Sequence, residues 1–411
     1  MTDAPRGPAV SITGIGLVTP AGIGVEENWT RITTGASAAA TDLVLRGLRM
    51  DFSCRVPGFD ADALLGRRHA WKLDRFVQLA LVAARQAVAD AGLDPTRWDG
   101  PRVGVVLGNS LGGTTTFEKQ HDTYYGGAPE EVSPLMIPMG MVNMVAGYVA
   151  MDQRVLGPSL VTATACASGA SAIGTARQWL ASGLCDIVLA GGTESAISPA
   201  TVTGLGRMGA LSARKDDPAG ASRPFAADRD GFVPGEGAAV LVLEREEDAA
   251  ARNQPVYARV IGYGASSDAY HATAPDPEGN GLARAIRTAL SDAGVHPEEV
   301  DHVNAHGTST PMNDLTEARA LRRVLGTRAA VTSTKGITGH TLAAAGAVEA
   351  AYTALALNRG TVPPTVNLRT LDPEIDMDVV AGEARRASLR VAVSTSLGFG
   401  GHNAALVLAA A

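Results

Sequence analysis

Residues 160–182 read LVTATACASGASAIGTARQWLAS, and this pattern indicates the fold class of the whole chain. Apolar and β-branched residues over 160–165 predict a buried strand, and the small residues over 167–182 predict a helix that begins at once. Cys166 lies at the junction between the two. Active sites of α/β proteins gather where the strands run out at the edge of the sheet. The stretch therefore predicts an α/β fold with a thiol at its active edge.

Short apolar strands alternate with helices on both sides of this stretch, which is typical of an α/β protein. The further predicted strands cover 10–18, 103–107, 187–190, 257–263, 300–304, 329–333, 389–394 and 404–408. The further predicted helices cover 73–91, 281–293 and 342–357.

Two short motifs recur in the same order and suggest an internal duplication. The triplet at 90–92 returns at 292–294, and the helix start at 168–170 returns in similar form at 345–347. Helices rich in Ala and Gly can also resemble one another by chance, and finding both matches in the same order weakens that alternative. We predict two similar α/β halves that share one core, residues 1–255 and 256–411.

Composition and charge restrict the class of protein. The chain has 411 residues and a net charge of −7, which argues against a nucleic-acid-binding protein. Cys54, Cys166 and Cys185 are too few and too scattered for a disulfide framework or a zinc site, so we expect a reduced, cytoplasmic protein. We expect no signal peptide, and no apolar run is long enough to span a bilayer, so no membrane association is predicted.

Cys166 has two interpretations. A helix that begins beside it offers unpaired N–H groups and a positive dipole end, which predicts a lowered thiol pKa and a nucleophile. Its small neighbours leave room for a substrate. The alternative is a small buried apolar residue, the usual state of a free cysteine.

Two histidines and a lysine share the placement of Cys166, because each lies in a glycine-flanked segment after a predicted strand. A neutral imidazole near a helix start, such as His306 or His340, can donate to a developing oxyanion, while the alternative is an ordinary turn histidine. Lys335 follows a buried strand and needs a partner, for which Glu349 is the candidate. A structural ion pair and a catalytic role both remain open for that pair.

Glycine clusters have different meanings at different places. Residues 398–401 (Gly-Phe-Gly-Gly) can supply half of an oxyanion hole, with the N–H of Cys166 as the other half, or form a tight turn. The clusters at 14–16, 204–206 and 262–264 lack the complete Gly-x-Gly-x-x-Gly pattern with a downstream acid. We therefore predict no nucleotide site.

These motifs, taken together, resemble the β-ketoacyl-acyl-carrier-protein synthases of the elongating I/II type. That family has the thiolase fold, a duplicated α-β-α-β-α arrangement of five layers. The likeness extends over nearly the whole chain through the segments 11–22, 74–76, 162–169, 223–237, 268–271, 304–310, 333–346, 363–367 and 398–403.

The resemblance implies a role for each site residue. Cys166 would accept the acyl chain as a thioester, and the two histidines would promote decarboxylation of a malonyl group and stabilise the enolate. Lys335 would organise His340 and Glu349, and the N–H groups of Cys166 and Phe399 would form the oxyanion hole. The further implied contacts are Phe399 as a gate, Thr308 and Thr310 on the phosphopantetheine arm, and Leu111, Leu205 and Leu397 along the acyl chain.

Leu397 and Leu205 depart from the family pattern, since each replaces a bulky aromatic residue that many members carry. Both changes would reshape the acyl tunnel. They favour slightly the catalytic subunit of a type II polyketide or polyene synthase. The alternative is a housekeeping fatty-acid synthase that works as a homodimer.

The resemblance also implies partners. An acyl carrier protein would dock on a basic patch formed by Arg67, Arg68 and Lys72, with Arg75 and Arg207 as further candidates, although an ordinary solvated helix face has the same pattern. We predict a homodimer, or a heterodimer with a homologous chain-length factor, and neither a metal nor an organic cofactor. A non-catalytic partner subunit would lack the cysteine. A thiolase would need a second reactive cysteine late in the chain, and none follows Cys185.

Overall fold

The computed structural model describes residues 9–411. Its strands are β1 Val10–Thr19, β2 Gly22–Ile23, β3 Ala40–Thr41, β4 Phe52–Ser53, β5 Val103–Gly108, β6 Ser159–Thr162, β7 Ile187–Glu194, β8 Gly237–Arg245, β9 Ala258–Ser267, β10 His302–Asn304, β11 Ala330–Thr332, β12 Thr361–Val362, β13 Asp378–Val379, β14 Arg385–Arg386, β15 Val391–Gly398 and β16 His402–Ala409. Its α-helices are α1 Val25–Thr34, α2 Ala61–Leu65, α3 Arg67–Ala70, α4 Arg75–Asp90, α5 Thr114–Tyr125, α6 Met136–Gly140, α7 Met144–Asp152, α8 Ser168–Ala181, α9 Pro199–Arg207, α10 Glu246–Ala251, α11 Asn280–Ala293, α12 Pro311–Leu325, α13 Lys335–Thr338 and α14 Ala345–Arg359.

The strands of the main sheet repeat one topology twice. Their order is β13-β11-β10-β15-β16-β9-β1-β8-β7-β5-β6. In the first half β5 pairs in parallel with β6 and β7, whereas β8 pairs antiparallel with β7 and β1. In the second half β10 pairs in parallel with β11 and β15, whereas β16 pairs antiparallel with β15 and β9. This repetition is the duplication that the two motifs predict.

The helices and the strands of the two halves together form five layers. Helices α8 and α14 pack against each other and against strands of both halves, and they form the central layer. Helices α4 and α7 cover the outer face of the first half, while α11 and α12 cover the second. One apolar cluster surrounds the central helices and one lies under each outer layer, so burial of both faces of the sheet holds the layers together.

Glycines at matching places bring the layers close. A Cβ on Gly169 would lie 2.6 Å from the backbone N of Ala347, and a Cβ on Gly346 would lie 2.7 Å from the backbone N of Ala170, so only glycine lets α8 and α14 cross here. The clusters at 14–16 and 262–264 do the same for the outer helices α4 and α11. Their role is helix packing, which agrees with the prediction that they do not bind a nucleotide.

The structure corrects the first predicted segment. Strand β6 ends at Thr162 and α8 begins at Ser168, with a 3₁₀ turn over Ala165–Ala167 between them, so the strand does not run directly into the helix. The predicted division after residue 255 falls between α10 and β9, and it stays a prediction. Within residues 9–411, no helix is long and apolar enough to cross a membrane.

Candidate active site

Cys166 lies in the middle of the 3₁₀ turn that precedes α8, and it is 9% exposed to solvent. The turn is fixed by Ser168, whose hydroxyl donates to the Ala165 carbonyl over 2.6 Å and accepts from the Thr164 N–H over 2.9 Å. Ala165 has a φ of 49°, a left-handed conformation that is uncommon for a residue other than glycine. The turn therefore presents the sulfur at the start of the central helix.

The predicted lowering of the thiol pKa is wrong for this conformation. Burial raises the pKa of Cys166 to about 12, while the Lys335 ammonium and a hydrogen bond from the Phe399 N–H act in the opposite direction. Desolvation outweighs these two effects because the thiolate would lie in an apolar pocket. The resting group is the thiol, and it must lose its proton during the reaction.

His306 follows β10, and a buried carboxylate holds its backbone. The N–H of His306 donates to Glu317 Oε1 over 2.8 Å, and the N–H of Gly307 donates to Oε2 over 2.7 Å. The hydroxyl of Thr395 also donates to Oε1, over 2.6 Å. Glu317 lies on α12 and is completely buried. The histidine loop is thus tied to a rigid helix on one side and to β15 on the other.

His340 lies in the loop between α13 and α14. Its N–H donates to the Val233 carbonyl over 2.8 Å, and its carbonyl accepts from the Gly235 N–H over 2.9 Å. Its ring packs edge-to-face with the rings of Phe232 and His306, each with centroids 5.1 Å away. Burial lowers the pKa of both histidines well below the usual value, so both imidazoles are neutral.

Lys335 contacts the first histidine. Its Nζ lies 3.3 Å from His306 Nδ1 and forms a buried ion pair with Glu349. The sequence analysis predicted that Lys335 would organise His340, and the structure corrects this to His306. Since the ammonium donates to Nδ1, the ring proton of His306 lies on Nε2, which makes that nitrogen a donor. Burial raises the pKa of Glu349 to about 7, although Lys335 acts in the opposite direction.

One sulfur and two ring nitrogens from these residues come together. The Cys166 Sγ and one ring nitrogen each from His306 and His340 lie within 4.8 Å of one another. These atoms face a cavity of about 700 Å³. Of the predicted binding residues, the cavity wall includes Thr308, Thr310, Leu111, Leu205 and Phe399. Leu397 is not part of that wall, because its side chain packs in the cluster beneath the outer helix α11.

Phe399 belongs to a loop that closes against the cysteine turn. A Cβ on Gly398 would lie 3.1 Å from the backbone N of Cys166 and 2.4 Å from the Thr164 carbonyl, so a larger residue would separate the two segments. The Phe399 N–H lies close enough to the Cys166 sulfur to lower the pKa of the thiol, although burial has the larger effect. The glycine cluster at 398–401 thus lets the backbone of the Phe399 loop lie against the cysteine turn.

The predicted docking residues divide into two groups. Arg67, Arg68, Lys72 and Arg207 are exposed, as a docking patch requires. Arg75 is not available, because it forms a bidentate ion pair with the buried Glu236 at 2.6 and 2.7 Å. The role of the exposed residues in docking stays a prediction.

Three buried or cavity-lining residues were not predicted from the sequence. Glu317 supports His306, Glu194 lies beneath the wall that contains Leu111, and His402 lines the cavity. For Glu317 a signal existed, since Thr310 followed by Pro311 predicts a helix start and places the acid nearly two turns inside that helix.

Comparison with known proteins identifies the family. The family described as Beta-ketoacyl synthase, N-terminal domain, matches residues 8–249, and its C-terminal domain counterpart matches residues 257–369. The chain is 44% identical to the 3-oxoacyl-[acyl-carrier-protein] synthase 2 of Synechocystis sp. over 97% of both chains.

Solved structures agree with this match. The ishigamide ketosynthase/chain length factor superimposes with a TM-score of 0.92 at 34% identity, covering 98% of this chain and 99% of that one. A type II polyketide ketosynthase in complex with its acyl-carrier protein gives a TM-score of 0.91 at 32% identity, covering 99% of this chain and 100% of that one. This chain belongs to the β-ketoacyl synthase family, whose members are carbon–carbon bond-forming acyltransferases.

Proposed function

We propose that this protein extends an acyl chain by decarboxylative condensation with a malonyl group, both carried on acyl carrier protein. The observation that carries the proposal is the meeting of Cys166, His306 and His340 at the wall of a largely apolar cavity. A thiol can take and release an acyl group, and neutral imidazoles can stabilise an enolate at neutral pH.

In the first half-reaction the Cys166 sulfur attacks the carbonyl carbon of the acyl thioester. The new carbon–sulfur bond forms, the bond to the carrier sulfur breaks, and the thiol proton passes to that departing sulfur. Both imidazoles are neutral, but His306 Nδ1 already accepts from Lys335 and its Nε2 carries the ring proton, so His340 is the neighbour that can relay the thiol proton. We assign the oxyanion hole to the N–H groups of Cys166 and Phe399, because Gly398 lets the Phe399 loop lie against the backbone of Cys166.

In the second half-reaction the bond between the malonyl methylene and its carboxylate breaks, and CO₂ leaves. The electron pair passes into the thioester and forms an enolate, whose oxygen accepts hydrogen bonds from the two imidazoles. The enolate carbon then attacks the acyl carbonyl on Cys166, the carbon–sulfur bond breaks, and the departing thiolate takes up a proton from solvent. Side chains of the protein perform every step, so the prediction of a reaction without a metal or organic cofactor is part of the proposal.

The relatives indicate the partners. One solved relative is a ketosynthase in complex with its acyl-carrier protein, and two others are ketosynthases with chain length factors. We extend these partners to this chain, as an acyl carrier protein and a second ketosynthase-fold subunit, identical or homologous. Arg67, Arg68 and Lys72 supply the exposed positive charge that an acidic carrier protein needs.

The competing functions lack a necessary group. Cys54 and Cys185 are buried away from the cavity wall, so neither can serve as the second cysteine of a thiolase. A non-catalytic partner subunit would not need Cys166 beside two neutral histidines. All three cysteines are unpaired, which supports the prediction of a reducing, cytoplasmic setting.

The test follows the covalent intermediate. The protein is incubated with acyl carrier proteins that bear chains of different length and unsaturation, and its intact mass is measured before and after malonyl carrier protein is added. We expect an acyl adduct that is absent in Cys166→Ala and a β-ketoacyl product longer by two carbons. Saturated chains would indicate fatty-acid synthesis, and β-keto or polyene chains a polyketide synthase. No adduct, alone or with a partner subunit, would overturn the proposal.

A further inference from the structure

One wall of the catalytic cavity is a turn formed by residues 109–112. The turn follows strand β5, and its residues Ser110 and Leu111 line the cavity. Glu194, the last residue of β7, contacts this turn and is 0% exposed. The condensation chemistry described above makes no use of this carboxyl group.

The carboxylate of Glu194 receives four hydrogen bonds from the turn. The N–H groups of Ser110 and Leu111 donate to Oε2 over 3.0 and 3.2 Å, and the Ser110 hydroxyl donates to the same oxygen over 2.6 Å. The side-chain amide of Asn109 donates to Oε1 over 3.0 Å. Burial raises the pKa of Glu194 to about 7, while the hydrogen bonds from Ser110, Leu111 and Asn109 act in the opposite direction. Four hydrogen bonds to one buried carboxyl group fix the backbone of the cavity wall.

Asn109 is held in one orientation by its other contacts. Its amide nitrogen also donates to the Thr193 carbonyl over 2.9 Å, and its oxygen accepts from the Gly112 N–H over 3.0 Å. A flipped amide would break both bonds. A glutamine at position 194 would therefore place its NH₂ group against a donor in either orientation.

The other half of the molecule uses the same arrangement. Strand β10 is the counterpart of β5 in the repeated topology, and the loop after it carries His306. Glu317 accepts from two successive backbone N–H groups of that loop, as Glu194 does from the N–H groups of Ser110 and Leu111. One buried glutamate thus holds the catalytic loop, and the other holds the loop that faces the substrate.

Glu194 also begins the segment that forms a neighbouring part of the site. Ala196 and Ile197 pack in the same apolar cluster as Cys166 and Leu342. The carboxylate is close enough to Cys166 to raise the pKa of the thiol electrostatically. It therefore joins the Leu111 wall to the segment beside the nucleophile.

We propose that Glu194 is a positioning residue that fixes the Leu111 turn and thereby determines which acyl chains the cavity accepts. The inference rests on the proposed function, because the chains in question are those transferred to Cys166. Glu194 touches neither the substrate nor the reacting atoms, and it acts through Leu111.

The test compares rates of Cys166 acylation over a series of chain lengths. We expect Glu194→Gln to lower the preference between the best chain and its neighbours by about fivefold, the factor that one hydrogen bond is typically worth. Glu194→Asp keeps the carboxyl group but moves it away from the Leu111 turn. We expect this variant also to lower the preference between chain lengths. The matched control is Glu244→Gln, since Glu244 is also a buried glutamate, on β8, and contacts Thr13 and Arg252 instead of the cavity.

A double-mutant cycle separates positioning from a general loss of stability. In a Leu111→Ala background the effect of Glu194→Gln on chain preference should disappear, because the side chain that it positions is gone. An unchanged preference in both Glu194 variants, or an equal shift in Glu244→Gln, would refute the inference. Failure of the proposed function would give a different result, namely no acylation of the unmodified protein by any chain.

Discussion

Glu317 offers the most direct test of how the structure prepares His306 for catalysis. The change is Glu317→Gln, which keeps the size of the side chain. The carboxylate accepts from the N–H of His306 through one oxygen and from the N–H of Gly307 through the other. An amide can satisfy only one of these donors, and the second would face the NH₂ group.

The magnitude follows from that single conflict. A hydrogen bond to a buried charged acceptor contributes about 1.5–3 kcal/mol, so the loop should lose about 2 kcal/mol of its restraint. If that free energy appears fully in the step that His306 assists, malonyl decarboxylation should slow by about 30-fold, since each 1.36 kcal/mol is a factor of ten. Acylation of Cys166 should change much less, because His306 acts as a hydrogen-bond donor to the enolate and the thiol attacks without it.

The assay measures the two half-reactions separately. Acylation is followed by intact mass, and decarboxylation by release of CO₂ from malonyl carrier protein. Thr395→Val is the graded control, because it removes the hydroxyl that donates to Glu317 and accepts from the His306 N–H over 3.3 Å, and it leaves both backbone hydrogen bonds to Glu317 in place. Equal loss of both half-reactions, or no loss of decarboxylation, would show that Glu317 has only a structural role.

Four further outcomes follow from the site and its surroundings. Lys335→Met should impair decarboxylation more than acylation, because the proton on His306 is no longer directed to Nε2; this is checked by the same two assays. Burial lowers the pKa of His302 to about 4. Between pH 6.5 and 4 this histidine is therefore protonated in the unfolded chain but not in the folded protein, so the free energy of unfolding falls as the pH falls. Up to about 3 kcal/mol of that loss should vanish in His302→Gln, as urea unfolding across this pH range would show. EDTA should leave acylation unchanged, whereas added Zn²⁺ should inhibit it by binding the cysteine and both histidines, measured as acylation rate and bound metal. The double charge reversal Arg68→Glu with Lys72→Glu should raise KM for carrier-bound substrate and leave decarboxylation of a small malonyl thioester unchanged; equal kinetics on both substrates would exclude docking at this patch.

The sequence predicted most of the fold because its signals are local. Each predicted strand and helix corresponds to an observed one, and the matching helix starts at 168 and 345 coincide with the first residues of α8 and α14. The strand predicted as buried over 160–165 is an exception in burial, because β6 lies at the edge of the sheet and Leu160 is exposed. Strand β8, Gly237–Arg245, was missed although it lies in the middle of the sheet. It is buried on both faces, so no alternating pattern marks it, although Pro234-Gly235 just before it is a turn signal.

The site was predicted less evenly, for a physical reason. Cys166, His306, His340 and Lys335 belong to distinctive motifs, and the structure brings them together. The thiol pKa was predicted from the neighbouring helix alone, whereas burial by residues distant in sequence determines it. The contact of Lys335 with His306 instead of His340, and the position of Leu397 outside the cavity wall, likewise depend on packing between segments far apart in the chain.

Duplication explains how one fold provides both a nucleophile and a shaped pocket. The two 3₁₀ turns before α8 and α14 are equivalent, and each begins with a left-handed residue other than glycine, Ala165 with φ 49° and Leu342 with φ 50°. Only the first turn carries the cysteine, and the second places Leu342 in the cavity wall. The loops after β5 and β10 show the reverse division of roles. Here the loop of the second half carries the catalytic His306, and the loop of the first half carries Leu111. The first half therefore contributes the nucleophile and the Leu111 surface, the second contributes both histidines and Leu342, and a buried glutamate holds each of the two loops in place.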